Sequence, residues 1–210
     1  LGGTVNNQEE FFDALESLAD QGIDTAEALI ETGEATGALG LVAELTGKRG
    51  SSIGEMNYLL TAALQNEAGD NPTDYQEYYL RAELGILKDA YNYGLGMEMM
   101  TGDGTGSFRM PLGTNHKFNG FADAFLSTPA NGLIDTYTWV GTKAFGAKHK
   151  LALHNFQSEE LSASLGWEID YVVAKKLTDR TKAVFKFAYL NGDNGQADIT
   201  RTSLELNYTF

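Results

Sequence analysis

The feature that most limits what this chain can fold into is the period of its hydrophobicity. From residue 39 to the last residue, apolar and polar side chains alternate with a period of two, the repeat of a strand with unlike faces. The pattern predicts nine strands, over 39–48, 56–67, 75–88, 91–101, 133–145, 149–157, 164–177, 181–191 and 200–210. Globular strands run about 5–6 residues, whereas a tilted strand crossing a bilayer needs roughly 9–11. Length therefore favours an antiparallel barrel over a sandwich.

The alternation assigns faces. In 164–177, Leu165, Trp167, Ile169, Tyr171 and Val173 oppose Gly166, Glu168 and Asp170. In 75–88, Tyr78, Leu80, Ala82, Leu84 and Ile86 oppose Arg81 and Glu83. In 91–101, Tyr91, Tyr93, Leu95, Met97 and Met99 oppose Asn92, Gly94, Gly96 and Glu98. Phe185, Phe187 and Tyr189 oppose Lys186; Leu204, Leu206, Tyr208 and Phe210 oppose Arg201, Ser203, Glu205 and Asn207. A soluble sandwich would bury the apolar face and expose the charged one, so alternation alone does not choose. Aromatics near the strand ends, however, supply the interfacial girdles of a membrane barrel.

Loop lengths agree. If residue 210 ends at the periplasmic rim, the turns Gly47–Glu55, Lys88–Tyr91, Gly146–His149 and Thr178–Thr181 are periplasmic, and all are short. The connections 68–74, 102–132, 158–163 and 192–199 are then extracellular, as in outer-membrane barrels.

Composition narrows the alternatives. No run of 18 apolar residues occurs, so no transmembrane helix is available. Cysteine is absent, which removes disulfides and thiolate metal sites. The net charge is −14, and no Lys or Arg precedes Lys48, so there is no basic footprint for nucleic acid. Within residues 7–36, Asn7 and Glu10 form a capping box, and Phe11, Phe12, Leu15 and Leu18 repeat at helical spacing. This segment is predicted to be an acidic helical insert at the outer surface, able to attract cations or bridge lipopolysaccharide through divalent ions. Nine strands is odd where bacterial barrels use even numbers. Leu1–Val5 is the candidate for a tenth, and the chain, starting at Leu1, reads as processed or as part of a larger barrel.

Two stretches then resemble known proteins. Ser203-Leu204-Glu205-Leu206-Asn207-Tyr208-Thr209-Phe210 resembles the terminal signal of outer-membrane proteins, in which Leu204, Leu206, Tyr208 and Phe210 would be read by assembly machinery. Pro111-Leu112-Gly113-Thr114-Asn115-His116-Lys117-Phe118-Asn119-Gly120-Phe121-Ala122-Asp123, continuing through Pro129 to Tyr137, is similar to the carboxyl-terminal region of alginate-export-type porins of proteobacteria. The resemblance covers residues 56–210 and implies an outer-membrane barrel of more than a dozen strands, of which this chain supplies part. The family's selective exporters line their lumen with arginines. Here the lumenal positions mix Arg81, Lys186 and Arg201 with Glu83, Glu98, Glu168, Asp170 and Glu205.

No catalytic constellation stands out. The histidines His116, His149 and His154 have no partner at i+2, i+3 or i+4, which disfavours zinc. His154 is expected to point inward near Glu168 or Asp170. A Gly-x-Ser-x-Gly elbow is missing, and neither strand histidine has a convincing nucleophile beside it. The glycine turn Thr101–Gly106 offers at most weak Ca²⁺ ligation at an outer loop, and no cofactor is expected. The loop 102–132 is too long for a plain connection and too rich in phenylalanine for disorder. It is expected to fold inward and narrow the pore, presenting Arg109, Asn115, His116, Lys117 and Asp123 to solutes. The chain thus reads as a non-enzymatic, porin-like channel for passive diffusion of small hydrophilic solutes. Its surroundings would be membrane lipid and lipopolysaccharide; a homo-oligomer is compatible, though no trimer face is marked. The alternative is a closed, plugged barrel serving as anchor, adhesin or scaffold.

Overall fold

The computed structural model describes residues 25–35, 38–67, 75–109 and 119–209. They form one antiparallel sheet of β1 (Thr25–Ala35), β2 (Ala38–Ser51), β3 (Gly54–Glu67), β4 (Gln76–Lys88), β5 (Tyr91–Met100), β6 (Leu133–Ala144), β7 (Ala147–Gln157), β8 (Ser164–Lys176), β9 (Thr181–Gly192) and β10 (Ile199–Tyr208). Spatial order equals sequence order. The meander needs only local connections, and each strand pairs with its chain neighbours. Strands run from ten residues in β5 to fourteen in β3.

Nine of the ten strands fall where the alternation puts them. The tenth does not. Residues 25–35, expected within the helical insert, are strand β1, paired with β2 from Thr25–Lys48 to Ala35–Ala38. Ile30 and Thr32 are β-branched and Gly33 is a poor helix former, so neighbouring edge bonds outweigh a weak helical period here. No helix occurs among the described residues. The capping box and the helical repeat at 7–24 lie outside the described residues, as does Leu1–Val5.

One end of the sheet carries tight hairpins: Ser52–Ile53, Asp89–Ala90, Phe145–Gly146 and Leu177–Arg180. Phe145 (φ 52°) and Gly146 (φ 71°) both lie in the left-handed region, the pair of positive φ values that a two-residue turn matching strand twist demands. The other end carries the longer connections, of which residues 75, 101–109, 119–132, 158–163 and 193–198 are described.

The sheet curls without closing. Ala63 of β3 and Ala188 and Leu190 of β9 belong to one buried cluster, so the inner faces of distant strands converge. β1 and β10 are its free edges. Burial is inverted relative to a soluble protein. Glu168 and Asp135 on the inner face are fully buried (0% exposed), whereas Leu95, Leu204 and Leu206 on the outer face are 63%, 70% and 68% exposed. Outer aromatics gather toward the ends, with Tyr78 and Trp167 near the long loops and Tyr91, Tyr93 and Tyr208 near the hairpins.

Candidate functional site

The interior has three levels, each set by which residues the alternation turns inward. At the long-loop end the space is filled. Phe108 stacks on Tyr79 of β4 at 5.5 Å, and Phe125 packs against Phe156 of β7 at 4.7 Å. Both phenylalanines come from the described parts of the 102–132 connection, 102–109 and 119–132, which pack into the trough at these rings. Backbone groups tie it down: Arg109 N donates to Gln65 Oε1 (2.8 Å), and Gln65 Nε2 donates back to Arg109 O (3.0 Å). Arg109 itself is exposed and lies over the Tyr75 ring at 5.9 Å. Asn115, His116 and Lys117 lie outside the described residues.

The middle level is a charged belt. Arg81 pairs with Glu83 on the same strand, and Tyr79 donates to Glu98 across to β5. Tyr137 of β6 donates to Glu83 (2.5 Å), reaching across β5 to do so. His154 Nδ1 lies 2.9 Å from Asp135 Oδ2, and its Nε2 lies 3.6 Å from Asp170 Oδ2. The imidazole thus reaches diagonally to two buried carboxylates on the flanking strands β6 and β8: Tyr137 and Glu168 are level with it in the register, and Asp135 and Asp170 each stand two residues along on the same face.

The loop meets this belt through its backbone. Phe121 N donates to Asp170 Oδ2 (3.1 Å), and Ala122 N donates to Glu168 Oε1 (2.8 Å). Gly120 (φ 82°) lies flat against the Glu168 carboxyl, where a Cβ would collide with it. Asp123 is paired with Arg201 of β10, its carboxylate almost wholly buried. Asp123 was expected to face solutes; it serves instead as a latch, because the nearest cation is Arg201 on the wall. Lys186 pairs with Glu205 at 2.6 Å.

At the hairpin end the trough is open. A concavity of about 930 Å³ is lined by Lys48, Lys143, Lys148, Lys150 and Trp139, among others. Lys150 lies 5.7 Å over the Trp139 ring. His149 bonds to Tyr171 Oη at 2.9 Å, and His154 turns the other way, so the two histidines are on opposite faces, as their spacing predicts.

Arg81, Glu83, Glu98, Glu168, Asp170, Lys186 and Arg201 all face the inside. Two further members of this interior escaped the sequence reading. β6 carries Tyr137 and Trp139 inward and Thr136 and Thr138 outward, so its alternation does not separate polar from apolar and gives Asp135 no face. The basic lining at 143–150 is dispersed around a hairpin and has no period to read. Comparison with protein-family models, curated proteins and solved structures finds no match.

Proposed function

We propose that this chain is part of the wall of a bacterial outer-membrane channel through which small hydrophilic solutes diffuse passively. The observation that carries the reading is the inverted burial. In water, leaving Leu95, Leu204 and Leu206 exposed would forgo about 1.5–3 kcal/mol each. Burying Glu98, Asp135, Glu168 and Asp170 would add a desolvation penalty of several kcal/mol per ion. Lipid outside and a polar interior account for both at once. Strand lengths, end-clustered aromatics and the asymmetry of the two ends support the same reading. Free edges are not tolerated in hydrocarbon, so strands beyond this sheet would complete the wall. The resemblance to alginate-export-type porins accords with such an architecture.

The filled loop end favours a second reading as well. Phe108, Phe125 and Phe156 pack in one buried cluster, so a wall closed with little added circumference would make a plugged anchor, adhesin or scaffold. Reconstitution of the full-length chain into a planar bilayer separates the two. Stepwise conductance supports the channel; silence from correctly folded, heat-modifiable protein overturns it.

A further inference from the structure

We infer that a divalent cation of the hard, oxygen-seeking class, Ca²⁺, pins the inward loop to β8, held by Asn119 Oδ1, Glu168 Oε2 and Asp170 Oδ1. These three oxygens are buried and accept no hydrogen bond. Their residues are 5%, 0% and 2% exposed. The site goes beyond the transport reading and does not depend on whether the chain conducts.

Its geometry follows from the alternation. Glu168 and Asp170 are two apart on β8, so both carboxylates rise from the same face. One oxygen of each is already fixed by a loop amide, Ala122 N and Phe121 N respectively. The remaining oxygens, Glu168 Oε2 and Asp170 Oδ1, are thereby oriented and are buried without a hydrogen-bond partner. Asn119 follows on the same loop, one residue before the glycine that lies against Glu168. Asn119 and Asp170 line a small cavity of about 90 Å³, space for an ion and a few waters at roughly 30 Å³ each.

Charge points the same way. Around this cavity stand Glu83, Glu98, Asp135 and Asp170, with Glu168 behind, against Arg81, Lys150 and His154. Carboxyl groups thus outnumber the cationic and imidazole groups here by five to three. Lys186 and Arg201 are engaged by Glu205 and Asp123 and do not reduce the excess. The donor set is two carboxylates and an amide carbonyl, with no third His, Cys or acid placed to complete a metal group among the described residues. Zinc prefers nitrogen and sulfur. Ca²⁺ takes carboxylate, amide-carbonyl and water oxygens in a flexible shell, which suits a partly hydrated pocket.

The test uses the full chain folded in detergent after EDTA treatment, titrated with CaCl₂ and followed by calorimetry and thermal unfolding. The expected result is a single Ca²⁺ per chain and an unfolding temperature that climbs with Ca²⁺ and saturates. Glu168→Gln and Asp170→Asn should each lose that response. Asn119 holds φ 56°, a left-handed conformation that glycine also adopts, so Asn119→Gly removes the ligand while keeping the turn. It should weaken the response. Asn119→Asp, which adds a third carboxylate without removing a partner, should strengthen it, and this variant carries the test should the β8 variants fail to fold. A wild-type chain with no Ca²⁺ heat and no shift overturns the site. So does a shift that survives unchanged in the variants, which places the ion elsewhere. A pair that merely shares a proton would show itself as Ca²⁺ insensitivity together with a Glu168→Gln variant more stable than wild type.

Discussion

At the scale of single residues, the loop is held by bonds in which one partner is buried and the other is not. Asp123 and Arg201 show the consequence. Removing Arg201 takes a cationic partner from a carboxylate that is 3% exposed, whereas removing Asp123 frees a cation that is 42% exposed and can turn to water. Arg201→Ala is therefore expected to cost about 1–3 kcal/mol and Asp123→Ala less, with a positive coupling in the double mutant. Denaturant midpoints of the four species measure this; additive costs would mean the pair is not a latch. Asp103 makes a second local claim. Its Oδ1 accepts from Thr105 N (2.8 Å) and Gly106 N (2.7 Å), and these amides hold its carboxyl below the usual carboxylate range. A lowered folded value means the turn's stabilisation is present above the ordinary carboxylate pKa. It is lost as pH falls through the lowered one. Protection factors at the Thr105 and Gly106 amides, which divide out the intrinsic pH dependence of exchange, should be high at neutral pH and fall under acid, and Asp103→Ala should show the low value at every pH.

At the scale of elements, strand length and strand face make separate predictions. Leu95 stands mid-strand on the outer face of β5, and Thr200 stands beside the loop end of β10. Under the membrane reading, a lysine at Leu95 costs about 2–4 kcal/mol and one at Thr200 about 0–1. Unfolding from lipid vesicles compares Leu95→Lys with Thr200→Lys, and equal stabilities would remove lipid from the outer face. The same elements show what the sequence makes legible. Where large apolar residues alternate with charge, as in β4, β5, β8, β9 and β10, strand, boundary and face were all readable, because sheet period is fixed at two. β6 was readable as a strand but not as a face, since threonine outside and tyrosine and tryptophan inside suit either surface. β1 was misread because its glutamates and alanines satisfy both periods. Its strand character comes from pairing with β2, a contact no local pattern encodes. Among site residues, the belt carboxylates were legible from alternation. The His154 contact with Asp135 was not, since it is a diagonal one, made to a residue two along from its cross-strand partner Tyr137, and depends on the register of β6 against β7.

At the scale of the whole molecule, the interior carries two layers of opposite charge, one under the long loops and one at the hairpin end. The belt carries Glu98, Asp135, Glu168 and Asp170 beneath the loop, while the hairpin-end concavity carries Lys48, Lys143, Lys148 and Lys150. Charges separated along a low-dielectric wall focus their field into the water between them, so each layer should set the local concentration of the opposite ion. Under the channel reading, a solute entering from the hairpin end meets the cations first. Current through such a path should lose anion preference when that layer is neutralised. In a Lys148→Gln, Lys150→Gln variant under a salt gradient, the reversal potential should therefore move toward the cation equilibrium value. The shift should be larger at low ionic strength, because screening over about 10 Å at 0.1 M already hides much of the field. Lys150 is the sharper probe of the two, since it lies against Trp139 and also lines the belt cavity. A reversal potential that does not move would mean that whatever current flows passes along strands outside this sheet, and that the basic end of the trough is not on the path.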